Sequence, residues 1–198
     1  MIPIKINNLL SVEEVNNFLS ITEALETPLG PDGAPVYEED SGFSISKDLG
    51  RLQFTIENLS EGVVTKLTNM ANSLLDFTVS MSGATYVEYN AKYGLPLLPP
   101  HFDGDSTELL INYQLYSNTS WNIGVDLQTY DIEDNSALAF SPNENIHWRP
   151  KKIFADEEFV KMIFFRFVNL KNQKDNSHLR YSLDHEALKE VREFRDSL

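Results

Sequence analysis

The sequence predicts an α+β chain that is mainly β, with helices gathered in its front third and a sandwich or jelly-roll barrel behind them. Three observations carry that prediction. Short β-like runs recur at 85–89, 109–116, 121–128, 137–141 and 160–169, at the density expected of layered β architectures. The intervening turns are polar, as in Ser117-Asn118-Thr119-Ser120 and Asp131-Ile132-Glu133-Asp134-Asn135. Before residue 78 the apolar spacing is instead helical at two places.

Taken in order, the first helix opens at Ser11. Its hydroxyl caps the helix and Glu14, three residues on, completes a capping box. Val15, Phe18, Leu19 and Ile21 form the apolar face. The Pro/Gly-rich segment 28–35 is a loop, and the acidic run Glu38-Glu39-Asp40 is read as solvated. Alternation over 42–46 and 52–57 predicts two short strands. Ser60 starts a second helix with Val64, Leu67, Met70, Leu74 and Leu75 turned inward. The β-like runs follow, and a charged helix over 184–197 closes the chain, with Leu188, Val191 and Phe194 inward. No internal repeat or low-complexity segment interrupts this order. The expected organisation is one domain, 1–198: a helical support region 1–77, a β core 78–170, and a tail with a short helix 171–198.

Composition narrows the function. A 198-residue chain with 41% hydrophobic residues can bury a core without staples. Its formal net charge of −14, from 16 basic and 30 acidic residues, lacks the basic footprint that phosphate backbones require, so nucleic acid is a poor partner. There is no cysteine, which excludes disulfides, zinc-thiolate sites, Fe–S clusters and thiol nucleophiles. The opening Met1-Ile2-Pro3-Ile4-Lys5-Ile6 has no signal-peptide pattern. The longest apolar run, 162–165, falls far short of a membrane span. A cytoplasmic protein is expected.

With thiols excluded, His, Asp and Glu are the available metal ligands. Pro99-Pro100-His101-Phe102-Asp103 places an imidazole and a carboxylate two positions apart, after a proline-stiffened approach. His147 arrives three predicted strands later, in Asn145-Ile146-His147-Trp148-Arg149-Pro150. Two imidazoles and one carboxylate are the ingredients of a facial triad that holds non-haem Fe(II) with positions left open. The pair alone is a weak signal, and on it alone a loop imidazole bonded to Asp103 is the favoured explanation.

Two cations add to it. Arg149 lies two residues beyond His147, on the same face if the segment is extended. Arg166 interrupts the apolar run 162–168, where a buried charge needs an anionic partner. The alternatives for Arg166 are an edge strand facing water or a structural ion pair. Lys161 falls on the opposite face of the same strand. His178 and His185 are read as surface residues, and Trp121 and Trp148 as packing residues, with Trp148 also a candidate for the pocket border.

The order of these features resembles the Fe(II)/2-oxoglutarate-dependent oxygenases, in particular the prolyl-hydroxylase-like branch. Thr85-Tyr86-Val87-Glu88-Tyr89-Asn90 resembles that group's first core strand, and "PPHFDGD" its iron-binding turn. "LLINYQLY" resembles the strand that follows, and "NSALAFSPNENIHWRP" the strand pair delivering the second histidine. The likeness covers roughly 78–170. It implies a double-stranded β-helix (a cupin-like jelly roll) with supporting N-terminal helices. It also implies Fe(II), 2-oxoglutarate as cosubstrate and O2, with His101, Asp103 and His147 as iron ligands.

The far carboxylate of 2-oxoglutarate would be held by Arg166 or Arg149 rather than Lys161, with Tyr89 assisting. An Arg fork grips a carboxylate bidentately, which Lys cannot do. The basic residue normally follows the distal histidine more closely than Arg166 follows His147, and here the chain departs from the family pattern. The implied reaction hydroxylates a peptidyl side chain, an amino acid or a small metabolite, with succinate and CO2 as co-products. The loops 32–41 and 117–121 are expected to set selectivity. Two other readings stand beside it: a non-enzymatic jelly-roll binding or assembly module, and a cupin-like metal protein that uses neither 2-oxoglutarate nor O2.

Overall fold

A computed structural model describes residues 1–24, 43–103, 106–169, 171 and 185–198. The loop 28–35, the acidic run 38–40 and His178 lie outside the described residues, as does the side chain of His185. In chain order the elements are β1 (Ile4–Ile6), α1 (Val12–Ala24), β2 (Phe43–Ser46), β3 (Arg51–Thr55), α2 (Glu61–Leu74), β4 (Ser80–Asn90) and β5 (Thr107–Ser117). They continue with β6 (Ile123–Val125), β7 (Gln128–Tyr130), β8 (Ser136–Phe140), β9 (His147–Trp148), β10 (Phe159–Val168) and α3 (His185–Asp196).

Seven strands form one antiparallel sheet in the order β1-β8-β5-β10-β4-β3-β2, and β7-β6-β9 form a second. Phe164 of the large sheet packs with Ile123 and Val125 of the small one, so the two sheets enclose a common interior. This is the jelly roll expected from the strand density. Three strands from the front third, β1, β2 and β3, extend the large sheet at its two edges.

Helices α1 and α2 cover the outer face of that sheet. Ser11 Oγ accepts from Glu14 N at 3.2 Å while Glu14 Oε2 accepts from Ser11 N at 2.7 Å, the reciprocal capping box. Ser60 Oγ caps α2 by accepting from Val63 N. α2 buries Val63, Leu67 and Ala71, one residue off the expected Val64 stripe, with Met70, Leu74 and Leu75 at its margin. Phe18 of α1 is buried, but Ile21 is exposed at the rim of a groove between α1 and α2. α3 seats Val191 against Ile146 and Trp148, with Leu188 and Phe194 alongside.

Alternation along β10 divides the large sheet into two faces. Ile163, Phe165 and Phe167 join the core under the helices, whereas Val160, Met162 and Phe164 face the interior. Arg166 continues the interior set. β10 lies between β5 and β4, which removes the edge-strand reading of Arg166. The register builds successive rows across the interior. Arg166 pairs with Leu110 and Gly83, Phe164 with Asn112 and Thr85, and Met162 with Gln114 and Val87. Val160 pairs with Tyr89, and Tyr89 pairs in turn with Arg51 of β3. Lys161 points to the opposite face, its ammonium over the Phe159 ring, and so lies outside the barrel interior.

The expected strand over 121–128 is two strands. Asp126 adopts φ 51°, turning the chain between β6 and β7. Its carboxylate repays that conformation by accepting from Asn145 Nδ2 at 2.8 Å and Ile146 N at 2.9 Å. That same carboxylate therefore ties the turn to the residues just before His147. Among the described residues, no helix is long and apolar enough to cross a membrane.

Candidate metal centre and buried cation

His101 and His147 face each other as directly paired residues of an antiparallel bridge. His147 N donates to His101 O at 2.9 Å and His101 N to His147 O at 3.2 Å. Directly opposed residues put their side chains on one face, and the two imidazole centroids lie 4.1 Å apart. Asp103 N donates to Pro142 O, which brings the carboxylate round to the same point. Asp103 Oδ1 is 3.4 Å from His147 Nε2 and 3.6 Å from His101 Nε2. Among the described residues, these three form the group whose donor atoms lie within 4.8 Å of one another.

The backbone fixes which ring nitrogens converge. His101 Nδ1 lies 2.8 Å from Pro99 O, and His147 Nδ1 lies 3.4 Å from Asn145 O. A proton held on Nδ1 by a carbonyl leaves Nε2 as a lone-pair donor, the usual outer support of a metal-bound imidazole. The electrostatics agree. Burial, followed by the neighbouring His147, lowers the His101 imidazole to about 4. Burial alone would raise the Asp103 carboxyl, but His147, His101 and Arg166 together hold it below its ordinary value. Two imidazoles and an ionised carboxylate are the donor set that divalent iron takes. Adjacent ligands on one octahedral ion stand roughly 3 Å apart, close to the observed separations.

Glycine contacts on two flanks hold these three residues in place. Trp148 has its ring against the bare backbone of Gly124, where a Cβ would collide with the indole. This close approach seats Trp148 toward α3, with its Nε1 donating to Asp126 O at 3.0 Å, and leaves His147 and Arg149 facing inward. Trp148 is thus a packing residue, as is Trp121, and it does not border the interior. On the other flank, Gly50 (φ 55°) and Gly94 (φ 135°) let segment 47–50 press against 94–97, with Leu97 N donating to Leu49 O at 3.1 Å. That contact positions the approach to His101.

The two candidate arginines occupy different places. Arg166 is partly exposed, donates from Nη1 to Thr85 Oγ1 at 2.7 Å and adds to the field that keeps Asp103 ionised. It stands beside the triad. Arg149 is 1% exposed and lies deeper in the interior. Its Nη1 donates to Trp121 O, its Nη2 lies 3.0 Å from Met162 Sδ, and its Nε has no partner. Its guanidinium also sits over the Trp121 ring at 5.1 Å. Burial lowers it to about 10, with Tyr89 opposing the shift, so it remains cationic at neutral pH. Tyr89, fully buried, packs edge-on against Trp121 at 4.9 Å.

Arg51 is a residue that the sequence reading did not single out. It lies on the same inner face as Tyr89 and donates from Nη1 to the Tyr89 hydroxyl at 3.4 Å. Its alternation with Leu52 and Phe54 marks it as belonging to a polar face. Only the β3–β4 pairing shows that this face lines the barrel. Of the two loops expected to set selectivity, 32–41 is outside the described residues. Ser117–Ser120 line an open groove with Asp131 and Asp134 near Gln114, away from the Leu110–Arg166 row.

No family model matches the chain, and no curated protein is similar to it in sequence. Solved structures are similar in fold. The epimerase SnoN from nogalamycin biosynthesis, in complex with Fe3+, alpha ketoglutarate and nogalamycin RO, aligns over 93% of this chain and 86% of its own, at TM-score 0.64 and 10% identity. The viral collagen prolyl hydroxylase of Paramecium Bursaria Chlorella virus-1, a 2OG complex, aligns over 86% of this chain and 97% of its own, at TM-score 0.56 and 10% identity. The Trichoplax adhaerens prolyl hydroxylase, in complex with a hypoxia inducible factor peptide fragment, covers 86% of this chain and 85% of its own, at TM-score 0.55 and 13% identity. The chain has the double-stranded β-helix fold of the 2-oxoglutarate-dependent oxygenases. Within that fold His101, Asp103 and His147 stand together beside the interior, and Arg149 lies farther inside it.

Proposed function

We propose that the chain is an Fe(II)- and 2-oxoglutarate-dependent dioxygenase that hydroxylates a peptidyl side chain, an amino acid or a small metabolite. The observation that carries this reading is the convergence of His101 Nε2, His147 Nε2 and an Asp103 oxygen at one point. Iron held there with 2-oxoglutarate would couple O2 reduction to decarboxylation of the cosubstrate, giving succinate and CO2 and oxidising the substrate.

The chain's own residues supply binding and orientation. His101 and His147 present Nε2 because Pro99 O and Asn145 O engage their other nitrogens. Asp103, kept ionised by its neighbours, completes the ligand set and balances part of the metal charge. Arg149 supports a dicarboxylate partner: it is a buried cation that no described carboxylate reaches. Leaving such a charge uncompensated is costly, and the distal carboxylate of 2-oxoglutarate would relieve it, with Tyr89 alongside. Arg166, whose charge acts on Asp103 and which is tied to Thr85, is then a positioning residue rather than the clamp. The buried aromatic wall of Tyr89, Trp121 and Phe154 would keep water from the cosubstrate's carbon chain. In this reading residues 1–198 act as one domain: 1–77 support the barrel, 78–170 form its core, and 171–198 form a tail whose helix braces the distal histidine's strand.

Succinate formation tests the proposal. Protein loaded with Fe(II) should convert 2-oxoglutarate to succinate slowly without any added substrate, and His101→Ala and Asp103→Ala should abolish the conversion. Turnover retained in both folded variants would contradict the assigned ligands.

A further inference from the structure

The inner surface carries a second guanidinium that a single-cation clamp leaves unexplained. Arg51 opens β3, an auxiliary strand outside β4, yet it lies on the interior face opposite Tyr89. Its Nη1 reaches the Tyr89 hydroxyl at 3.4 Å, and its Nε is buried without a partner. Among the described residues no carboxylate pairs with it. Tyr89 and Arg149 both pack on the ring of Trp121, at 4.9 Å and 5.1 Å. One cation thus reaches the phenol and another shares its aromatic neighbour, and each has a buried Nε that bonds nothing.

A buried donor without an acceptor is costly. A ligand carboxylate beside the Tyr89 hydroxyl would supply the missing acceptor. The placement of Arg51 is also built rather than incidental. Gly50, at φ 55°, presses against the backbone of Leu95 and Pro96, and Gly50 O accepts from Asn90 N at 3.1 Å. The residue before Arg51 is therefore fixed on both sides.

We propose that Arg51 is a second positioning residue for the anionic cosubstrate, donating with Arg149 and Tyr89 to the carboxylate farthest from the metal. The inference rests on the 2-oxoglutarate reading above. Recognition is consequently divided between a core segment and an auxiliary strand. Tyr89 is the hinge of the arrangement, because its hydroxyl can accept from Arg51 while donating to the ligand.

The experiment compares two keto acids on Ni(II)-loaded protein by calorimetry, so that no turnover is needed. 2-Oxoglutarate carries the distal carboxylate, and 2-oxopentanoate keeps the chelating end but lacks it. Wild type should bind 2-oxoglutarate much more tightly than 2-oxopentanoate. Arg51→Gln should weaken 2-oxoglutarate by about tenfold to a hundredfold and leave 2-oxopentanoate within about twofold. Arg51→Lys should restore part of that loss, as a point charge replaces a fork.

Equal weakening of both keto acids by Arg51→Gln would mark a structural role. If Arg149→Gln still erased the discrimination, that result would overturn this inference alone. Absence of discrimination in wild type would overturn the clamp reading together with it. Should Arg51→Gln not fold, Arg51→Lys carries the same comparison: a selective loss for 2-oxoglutarate supports the assignment, and an equal effect on both ligands overturns it.

Discussion

The guanidinium of Arg149 rests 3.0 Å from the thioether sulfur of Met162, in a place where a buried arginine ordinarily meets a carboxylate. On the proposed reading, Arg149 is dispensable for folding and needed for cosubstrate binding. In Arg149→Met, loss of the hydrogen bond to Trp121 O is offset by removal of a desolvated charge. Stability measured by urea unfolding should therefore stay within about 2 kcal/mol of wild type. In the Ni(II)-loaded protein, the rise in Tm that 2-oxoglutarate gives wild type should be absent from the variant. A loss of 3–5 kcal/mol, the signature of a broken buried ion pair, would contradict the uncompensated-cation account.

His101 and Asp103, the proposed metal ligands, should make the metal-free protein acid-sensitive. His101 titrates near 4 in the folded chain against an ordinary 6.5. The unfolded chain therefore binds a proton at a higher pH than the folded one, and stability falls as pH drops from about 6.5 toward 4. Asp103 is shifted down as well, so its contribution is present above its ordinary value and lost as pH falls below it. Unfolding free energy measured from pH 7 to 4 should decline in wild type, with a shallower slope in His101→Asn. An unchanged slope would argue against a proton-free His101 in the folded state.

Gly124 is the position where packing and the site are most tightly linked. A methyl group there meets the ring of Trp148, which is fully buried and cannot yield. Gly124→Ala should cost about 1–3 kcal/mol by overpacking and should weaken metal binding, because Trp148 adjoins His147. Gly62→Ala makes the contrasting case. Nothing lies within 4 Å of a Cβ there, and the helical position should gain about 0.5 kcal/mol with metal affinity unchanged. Paired urea melts and metal titrations check both.

Much of this was legible in the sequence because it is encoded locally. The Ser11–Glu14 capping box has a fixed spacing, and the period-two alternation of β10 already put Arg166 on the face opposite Lys161. The spacing of His101 and Asp103 likewise marked one turn as a candidate site. What was not legible depends on long-range register. Arg51 becomes an interior residue only when β3 pairs with β4. Ile4–Ile6 becomes a strand only because β8 offers it an edge. The break at Asp126 came from a left-handed residue whose cost is met by Asn145 and Ile146, partners roughly twenty positions away in the chain. Arg149 was visible as a basic residue near His147, but that no described carboxylate pairs with it is a property of the packed interior.

The capping box also offers a control that separates stability from chemistry. Ser11→Ala removes a cap on an outer helix and should cost about 1 kcal/mol, while the succinate yield per metal-loaded protein stays unchanged. A fall in that yield would mean that α1 influences the interior.

The central claim is that His101, Asp103 and His147 hold iron while Arg149 holds the cosubstrate's far carboxylate. Anaerobic titration of the protein with Fe(II) and then 2-oxoglutarate tests it most directly, by the weak visible metal-to-ligand absorption of a chelated keto acid. The account predicts a band that saturates at one equivalent of iron and is lost in Asp103→Ala. A folded wild-type sample that binds no iron, or binds it without developing the band, would contradict it.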